Sequence, residues 1–227
     1  MVKFNHYRKL FVVVGVGGTG SLIARDLPKL LLDTESKILL IDGDRVERKN
    51  MKRQSYQEQD INENKAIALA KKINALYGPV CYAYDKYLTK DELYIEINKI
   101  IDKYSVPVIL GCVDNDATRA ILENTFNRYP NAAYLDSANS EYEGNIFVSL
   151  KDKNKLIGPL RSQSYELEKD NHPLDKSCQE QSATNTQYLV TNLKMATELF
   201  EHCDQLMKNQ VKVGVTCVKR FETVHYE

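Results

Sequence analysis

No apolar run in the chain approaches the roughly 20 residues needed to span a bilayer, so no membrane partner is expected. Net charge is absent too: 31 Lys and Arg balance 31 Asp and Glu. Without a global basic field, no direct nucleic-acid ligand is expected. The five cysteines, Cys81, Cys112, Cys178, Cys203 and Cys217, are odd in number and form no CxxC pair. That argues against a disulfide scaffold and against a Cys-rich zinc site, so no zinc is expected. His6, His172, His202 and His225 lack metal-ligand spacing and read as surface residues. There is no internal repeat and no low-complexity segment. The opening MVKFNHYRKLF enters a strand almost at once and leaves no room for a signal peptide. A reducing cytoplasm is the expected home.

What is present suits one α/β domain over residues 1–227, of which 43% are hydrophobic and 27% charged. "FVVVGVGGTGS", Phe11 to Ser21, runs four apolar residues into glycines. Gly15, Gly17 and Gly20 fit GxGxxG, with Gly18 as an extra. A strand stopping on such a loop feeds a helix and offers backbone N–H groups to a phosphate. NAD, FAD and ATP proteins all use this device, so the glycines alone do not choose among them.

Strand and helix alternate onward. A helix is predicted from Gly18 to about Leu32, interrupted by Pro28. KILLIDGD, Lys37 to Asp44, is a buried strand ending on two carboxylates. Asn64 to Tyr77 carries a helical apolar stripe with Gly78 placed to end it. PVCYAY reads as a strand, and Thr89 with Glu92 as a capping box for the next helix. VPVILGCV, Val106 to Val113, is a strand ending on Asp114, and Ala117 to Tyr129 is helical. AAYLD and GNIFVSL are further strands closing a nucleotide-binding core over 1–150. Residues 151–176 are polar and without period, and read as a long crossing loop. Over 177–227 a helix runs to about Cys203, and VKVGVTCV closes the chain as a strand. The expected fold is a Rossmann-like, doubly wound, mostly parallel sheet with late antiparallel strands. Asp42, Asp44 and Asp114 then fall at strand carboxyl ends, in the crevice that holds the glycine loop.

Asp42 lies 22 residues after Gly20, where a ribose-binding carboxylate belongs. An ordinary turn aspartate is the bland alternative. Arg45, Arg48, Lys49, Lys52, Arg53 and Lys65 follow it in "IDGDRVERKNMKRQSYQEQDINENKA", a set a dehydrogenase does not need. A solvated basic loop would explain them. Their place after a nucleotide strand suits neutralising a triphosphate instead, with Asp114 as the Mg²⁺ ligand. Arg119, in DATRA, reads either as reaching the nucleotide or as a helix-surface ion pair.

GxGGxGS, IDGDxVExKNxxRQ, NK before a helix, and GCVDNxxTR occur here in one order and spacing. The chain from about Leu10 to Ser149 thereby resembles the ThiF/MoeB/ubiquitin-activating superfamily, whose members adenylate the C-terminal carboxylate of a ubiquitin-like protein. The later "YLDSANSEYEGNIFVS" and "SCQEQSATNTQYLVTNLKMATELF" look most like the ThiF-type protein of PRTRC cassettes. Those mobile-element clusters also encode a ubiquitin-like protein, a JAB-type peptidase and a ParB-like protein. The resemblance implies an ATP-dependent adenylyltransferase. Gly15, Gly17, Gly18 and Gly20 would form the nucleotide loop, with Asp42 and Asp44 at the nucleotide. Asn50, Arg53 and Lys65 would contact phosphates, supported by Gln54, and Asp114 would coordinate Mg²⁺. ATP and Mg²⁺ are the implied cofactors. The implied partner is a ubiquitin-like or sulfur-carrier protein with a free carboxylate.

Three departures stand out. Family members often carry an N-terminal helix whose Arg reaches a neighbouring subunit's ATP; here the first strand starts near Leu10, which leaves a homodimer open. The zinc-binding CxxC pairs are missing. Gly43 stands where a bulkier residue is usual, which is expected to loosen the ribose turn. Some members also pass the activated carboxylate to a cysteine on the segment crossing the sheet. Ser177 and Glu180 fit a capping box that places Cys178 in a first helical turn, where a thiolate is favoured. Cys178 is therefore the candidate thioester cysteine, against a plain small residue at a helix start. Two rival readings of the whole are a non-catalytic nucleotide-binding scaffold and an NAD(P)-dependent oxidoreductase.

Overall fold

A computed structural model describes residues 1–167 and 188–227. β1 (Val2–Lys3) is a short strand, and β2 (Arg8–Val14) is the first strand of the main sheet. Along β2, Phe11 and Val13 enter one hydrophobic core while Leu10, Val12 and Val14 enter another. Both faces of the strand are thus covered, which is why its sequence is continuously apolar rather than alternating. After it come α1 (Gly18–Asp26), β3 (Lys37–Ile41), α2 (Lys65–Tyr77) and β4 (Cys81–Tyr84). Then follow α3 (Glu92–Ile100), β5 (Ser105–Gly111), α4 (Asp116–Arg128), β6 (Ala132–Asn139) and β7 (Gly144–Asp152).

The main sheet runs β11-β10-β7-β6-β5-β2-β3-β4 once the last strands, β10 (Gly214–Val218) and β11 (Thr223–Tyr226), are added. β4, β3, β2, β5 and β6 are parallel, and β7, β10 and β11 join antiparallel. This is the expected Rossmann-like α/β sheet with late antiparallel additions. Strand order reverses between β2 and β5, so the crevice at their carboxyl ends is the switch point where ligands lodge in such sheets.

Local signals act largely as the sequence implies. Asn64 caps α2, accepting from Ile67 N at 3.1 Å, and Gly78 ends it with φ at 77°. α1 stops at Asp26 and continues as a 3₁₀ turn, Leu27–Leu31, carrying Pro28. Half of the Thr89/Glu92 box forms, with Thr89 N donating to Glu92 Oε2 at 2.7 Å.

Over 151–167, the described part of the 151–176 stretch, the reading as a loop is corrected. β7 extends to Asp152, turns through Lys153 and Asn154, and returns as β8 (Lys155–Ile157), before a helical turn α5 (Arg161–Ser164). Lys153 and Asn154 both have positive φ, 48° and 67°, the geometry of a two-residue I′ hairpin. Polar residues on an exposed hairpin hide its period. α6 spans Leu189–Met207, four residues past Cys203, and β9 (Gln210–Val211) pairs with β1. A last strand, β11, follows the one expected to close the chain. Cys178 and His172 lie outside the described residues.

Candidate active site

The glycine loop leaves β2 by a sharp turn. Gly15 has φ at 82°, and a Cβ there would lie 2.7 Å from Cys112 O. At Gly20 a Cβ would stand 1.9 Å from Gly15 O, so only glycine lets α1 approach the strand end. Gly17 differs. A Cβ there meets nothing closer than Gln54 Nε2 at 3.8 Å, so the space beside it lies open to the cleft. Gly18 opens α1 and lines the same cleft.

Asp42 locks this loop to the end of β3. Its Oδ2 accepts from Val16 N and its Oδ1 from Asp44 N, both at 2.9 Å. Burial pushes its carboxyl up to about 6, against the pull of Lys65 and the backbone donors. Asp44 behaves oppositely: burial raises it, but Lys65 and hydrogen bonds from Lys65 and Tyr87 outweigh that and hold it below the usual range. Lys65 Nζ donates to Asp44 Oδ2 at 2.7 Å, and the two carboxylates keep this buried ammonium charged despite desolvation. Asn64 ties the turn down from α2, with Nδ2 donating to Asp42 O at 2.8 Å and Asp44 O at 3.1 Å.

The segment after β3 closes the floor. Asn50 is buried and accepts from Glu47 N at 2.8 Å, within a 3₁₀ turn Arg48–Lys52. Tyr56 donates its hydroxyl to Val16 O at 2.7 Å, and Ser55 N donates to Ser21 Oγ at 3.1 Å. Gln54, just before them, is buried, and its Oε1 has no partner. The resulting cleft holds about 510 Å³ and is lined by Gly15, Gly17, Gly18, Asp42, Asp44, Asn50, Arg53, Gln54, Lys65 and Asp114. Apart from Gly20, which packs against Gly15 rather than facing the cleft, the nucleotide residues expected from the sequence line one cavity. Of the six cations, Arg45, Lys49, Arg53 and Lys65 line it, while Arg48 pairs with Glu58 and Lys52 stands outside the lining.

Asp114 is exposed at the carboxyl end of β5, and Asn115 Nδ2 reaches its Oδ1 at 3.4 Å. Among the described residues no cluster of three His, Cys, Asp or Glu could hold a metal ion unaided. One carboxylate at the rim of a cation-rich cleft does fit Mg²⁺ in the form that phosphates bring it. Beyond Asp114 lies a second cavity of about 510 Å³, over the ends of β6, β7 and β10, reaching Thr19, Asn139, Asn145 and Lys219. Gly18, Cys112, Val113 and Asp114 belong to both cavities.

Several readings change here. Arg119 does not line the nucleotide cleft; its Nε pairs with Asp116 Oδ1 at 3.2 Å within α4, but not on the helix surface. It is buried, pairs with Asp136 Oδ1, and donates to the Val113 carbonyl and to Ser137 O. Arg161 Nε meets the other Asp136 oxygen at 2.6 Å. His202 is buried and His225 half-buried, linked through Thr216, so neither is a surface residue. Gly43 does not loosen the turn, because the Tyr87 ring occupies the space a side chain would take. Cys81 and Cys203 are buried, and burial lifts their thiols far above the ordinary range. Sequence reasoning missed Tyr56, Tyr87 and Arg161, and marked Asn64 only as the start of the NK motif and its helix, without the ties it makes to Asp42 and Asp44.

This geometry defines a Rossmann-like α/β domain with a glycine-loop cleft at its switch point. The ThiF family model matches residues 6–221, and the chain belongs to that family. Ubiquitin-like modifier-activating enzyme 5 of Dictyostelium discoideum is 29% identical over 128 residues, covering 53% of this chain and 33% of that protein. The Bombyx mori protein of the same name is 31% identical over 125 residues, covering 52% and 31%. The chain thus spans about a third of the length of these relatives. Among solved structures, PaaA aligns over 97% of this chain and 64% of its own, with a TM-score of 0.65 at 16% identity. E. coli MccB with AMPCPP and selenomethionine MccA aligns over 96% and 63%, with a TM-score of 0.67 at 13% identity. At such identities the likeness shows the fold. No helix among the described residues is long and apolar enough to cross a membrane.

Proposed function

We propose that this chain uses Mg-ATP to adenylate the C-terminal carboxylate of a ubiquitin-like or sulfur-carrier protein. The observation that carries the reading is the pair of cavities meeting at Asp114. A nucleotide in the first cavity and a carboxylate-bearing tail in the second would meet beside that residue. Support also comes from relatives named as ubiquitin-like modifier-activating enzymes, and from MccB solved with AMPCPP and MccA.

The chemistry needs no side-chain nucleophile. The partner's carboxylate oxygen attacks the α-phosphorus, the bond to the bridging oxygen breaks, and pyrophosphate leaves. What the chain supplies is alignment and fixed charge. Backbone N–H groups at the start of α1 bind phosphate oxygens, and Asp42 holds the loop that presents them. Lys65 and Arg53 face the charge that develops on the phosphates. Asp114 would hold Mg²⁺, which when bound adds Lewis-acid stabilisation of that charge. A thioester step remains part of the proposal. The Cys178 thiolate would attack the acyl adenylate, forming a thioester and releasing AMP.

ATP–pyrophosphate exchange with candidate ubiquitin-like proteins, chosen first among any encoded beside this chain as in PRTRC cassettes, tests the reading. Exchange that depends on the partner's free C-terminus is expected. NAD binding tighter than Mg-ATP, or no exchange with a partner that binds, would sink it. A thiol-sensitive conjugate on a non-reducing gel, lost in Cys178→Ala with exchange retained, is the separate test of the thioester.

A further inference from the structure

Gly43 and Tyr87 are joined by an observation that the adenylation reading does not use. A Cβ on Gly43 would stand 2.6, 2.7 and 2.8 Å from Tyr87 Cγ, Cδ2 and Cδ1. These atoms are the root of the ring, which cannot swing aside as a flexible tip could. The ring therefore sits in a socket that exists because residue 43 has no side chain. Its hydroxyl donates to Asp44 Oδ1. The other oxygen, Asp44 Oδ2, takes the Lys65 ammonium.

Tyr87 is itself held on both sides. Leu88 is buried in the α3/α4 core, and the carbonyl of Asp85 accepts from Asn64 Nδ2 at 3.3 Å. Tyr87 also lines the cleft that Lys65 faces.

We propose that Tyr87 is a positioning residue of the nucleotide cleft, seated on Gly43 and holding Asp44 so that Lys65 stays aimed at the polyphosphate. A carboxylate with one oxygen fixed by the phenol gives the ammonium a one-oxygen contact. Lysine has three donor protons, so two remain for phosphate oxygens. Without the phenol, Asp44 is free to turn both oxygens on Lys65 and draw it away from the ligand. The proposal rests on the cleft being a nucleotide site, so its test reads binding as well as turnover.

Tyr87→Phe keeps the ring on Gly43 and removes only the hydroxyl. It is expected to leave the melting temperature near that of wild type and to weaken Mg-ATP about tenfold by calorimetric titration. Gly43→Ala evicts the ring and should weaken Mg-ATP to a similar degree. In a Tyr87→Ala background, Gly43→Ala should cost nothing more, because the socket is then empty. Wild-type affinity in Tyr87→Phe, or a lower melting temperature with unchanged affinity, overturns the proposal and marks Tyr87 as structural only. Additive losses from Gly43→Ala and Tyr87→Ala overturn the socket. A wild-type protein that fails to bind Mg-ATP would refute the nucleotide reading itself, and this proposal with it.

Discussion

Gly17→Ala separates what the loop needs in order to fold from what it needs in order to bind. The new methyl would find Gln54 Nε2 at 3.8 Å as its nearest neighbour, an ordinary contact. The apo protein should accept this contact, but no gain is expected, because Gly17 has φ −81° and ψ −128°, not the α or β backbone in which Gly→Ala stabilises. Gly20→Ala is the opposite control, since its methyl would overlap Gly15 O at 1.9 Å and the fold should fail. In the cleft the methyl of Gly17→Ala stands where a phosphate approaches the N–H groups opening α1. Each charge-assisted hydrogen bond lost is worth about 1.5–3 kcal/mol, or about 10–150-fold in Kd. A differential-scanning melt reads both effects. At ligand 100 times the wild-type Kd, Mg-ATP should stabilise wild type by about 2.7 kcal/mol. A variant about 100-fold weaker should gain only about 0.4 kcal/mol. A Gly17→Ala protein that melts and binds Mg-ATP like wild type would refute the phosphate cradle. One that does not fold would refute the steric argument.

Asp114→Asn should leave the melting temperature unchanged, because the side chain is exposed, yet lower exchange about 10²-fold or more at any Mg²⁺ concentration. Near-normal exchange would place the metal elsewhere. Asp136→Asn leaves the guanidiniums of Arg119 and Arg161 buried without their shared carboxylate. A loss of about 3–5 kcal/mol follows, or a fall in Tm of roughly 6–20 °C for a chain of this size, and a drop of a degree or two would show the triad is not structural. His202 is the acid-sensitive point. Its Nδ1 is buried without a partner, and burial first, then His225 and Lys212, lower its pKa from 6.5 to about 4. The unfolded chain therefore takes up a proton that the folded one refuses, and stability is lost as pH falls from about 6.5 toward 4, by up to about 3 kcal/mol. Melts of wild type and His202→Gln at pH 7 and pH 5 should show the wild-type advantage shrinking in acid, and a constant gap would contradict the assignment.

Legibility from sequence followed the range of the interaction. β2, β3 and β5 were readable because strands covered on both faces are continuously apolar, as Phe11–Val14 and Val106–Leu110 are. The glycine loop and Asp42 were readable because strand, turn and helix lie within one short stretch. The β8 hairpin was hidden because Lys153 and Asn154 adopt a glycine-like turn without glycine. Arg119 misled because its partner Asp136 is 17 residues away, on another element. Tyr87 could not be found from sequence, since its socket is an absent side chain 44 residues earlier. The missing bulk at position 43 was visible, but what filled it was not.

The two carboxylates after β3 show why the site needs both. Asp42 spends both oxygens on the backbone of Val16 and Asp44, so its contribution is to the shape of the loop. Asp44 spends its oxygens on the side chains of Tyr87 and Lys65, so its contribution is to the placement of charge. Lys65 stabilises both as anions, and in return their negative charge keeps a buried ammonium protonated. The polyphosphate of the proposed reading would change this balance. It offers Lys65 a stronger anion than Asp44 alone, while Asp44 retains the phenol as a partner. The lysine can therefore turn its free protons to the ligand while the half-exposed Asp44 carboxylate keeps a partner. On this argument the glycine at position 43 is more than a gap in the ribose turn. It is what admits the tyrosine that, as proposed, keeps Asp44 from drawing Lys65 away from the ligand.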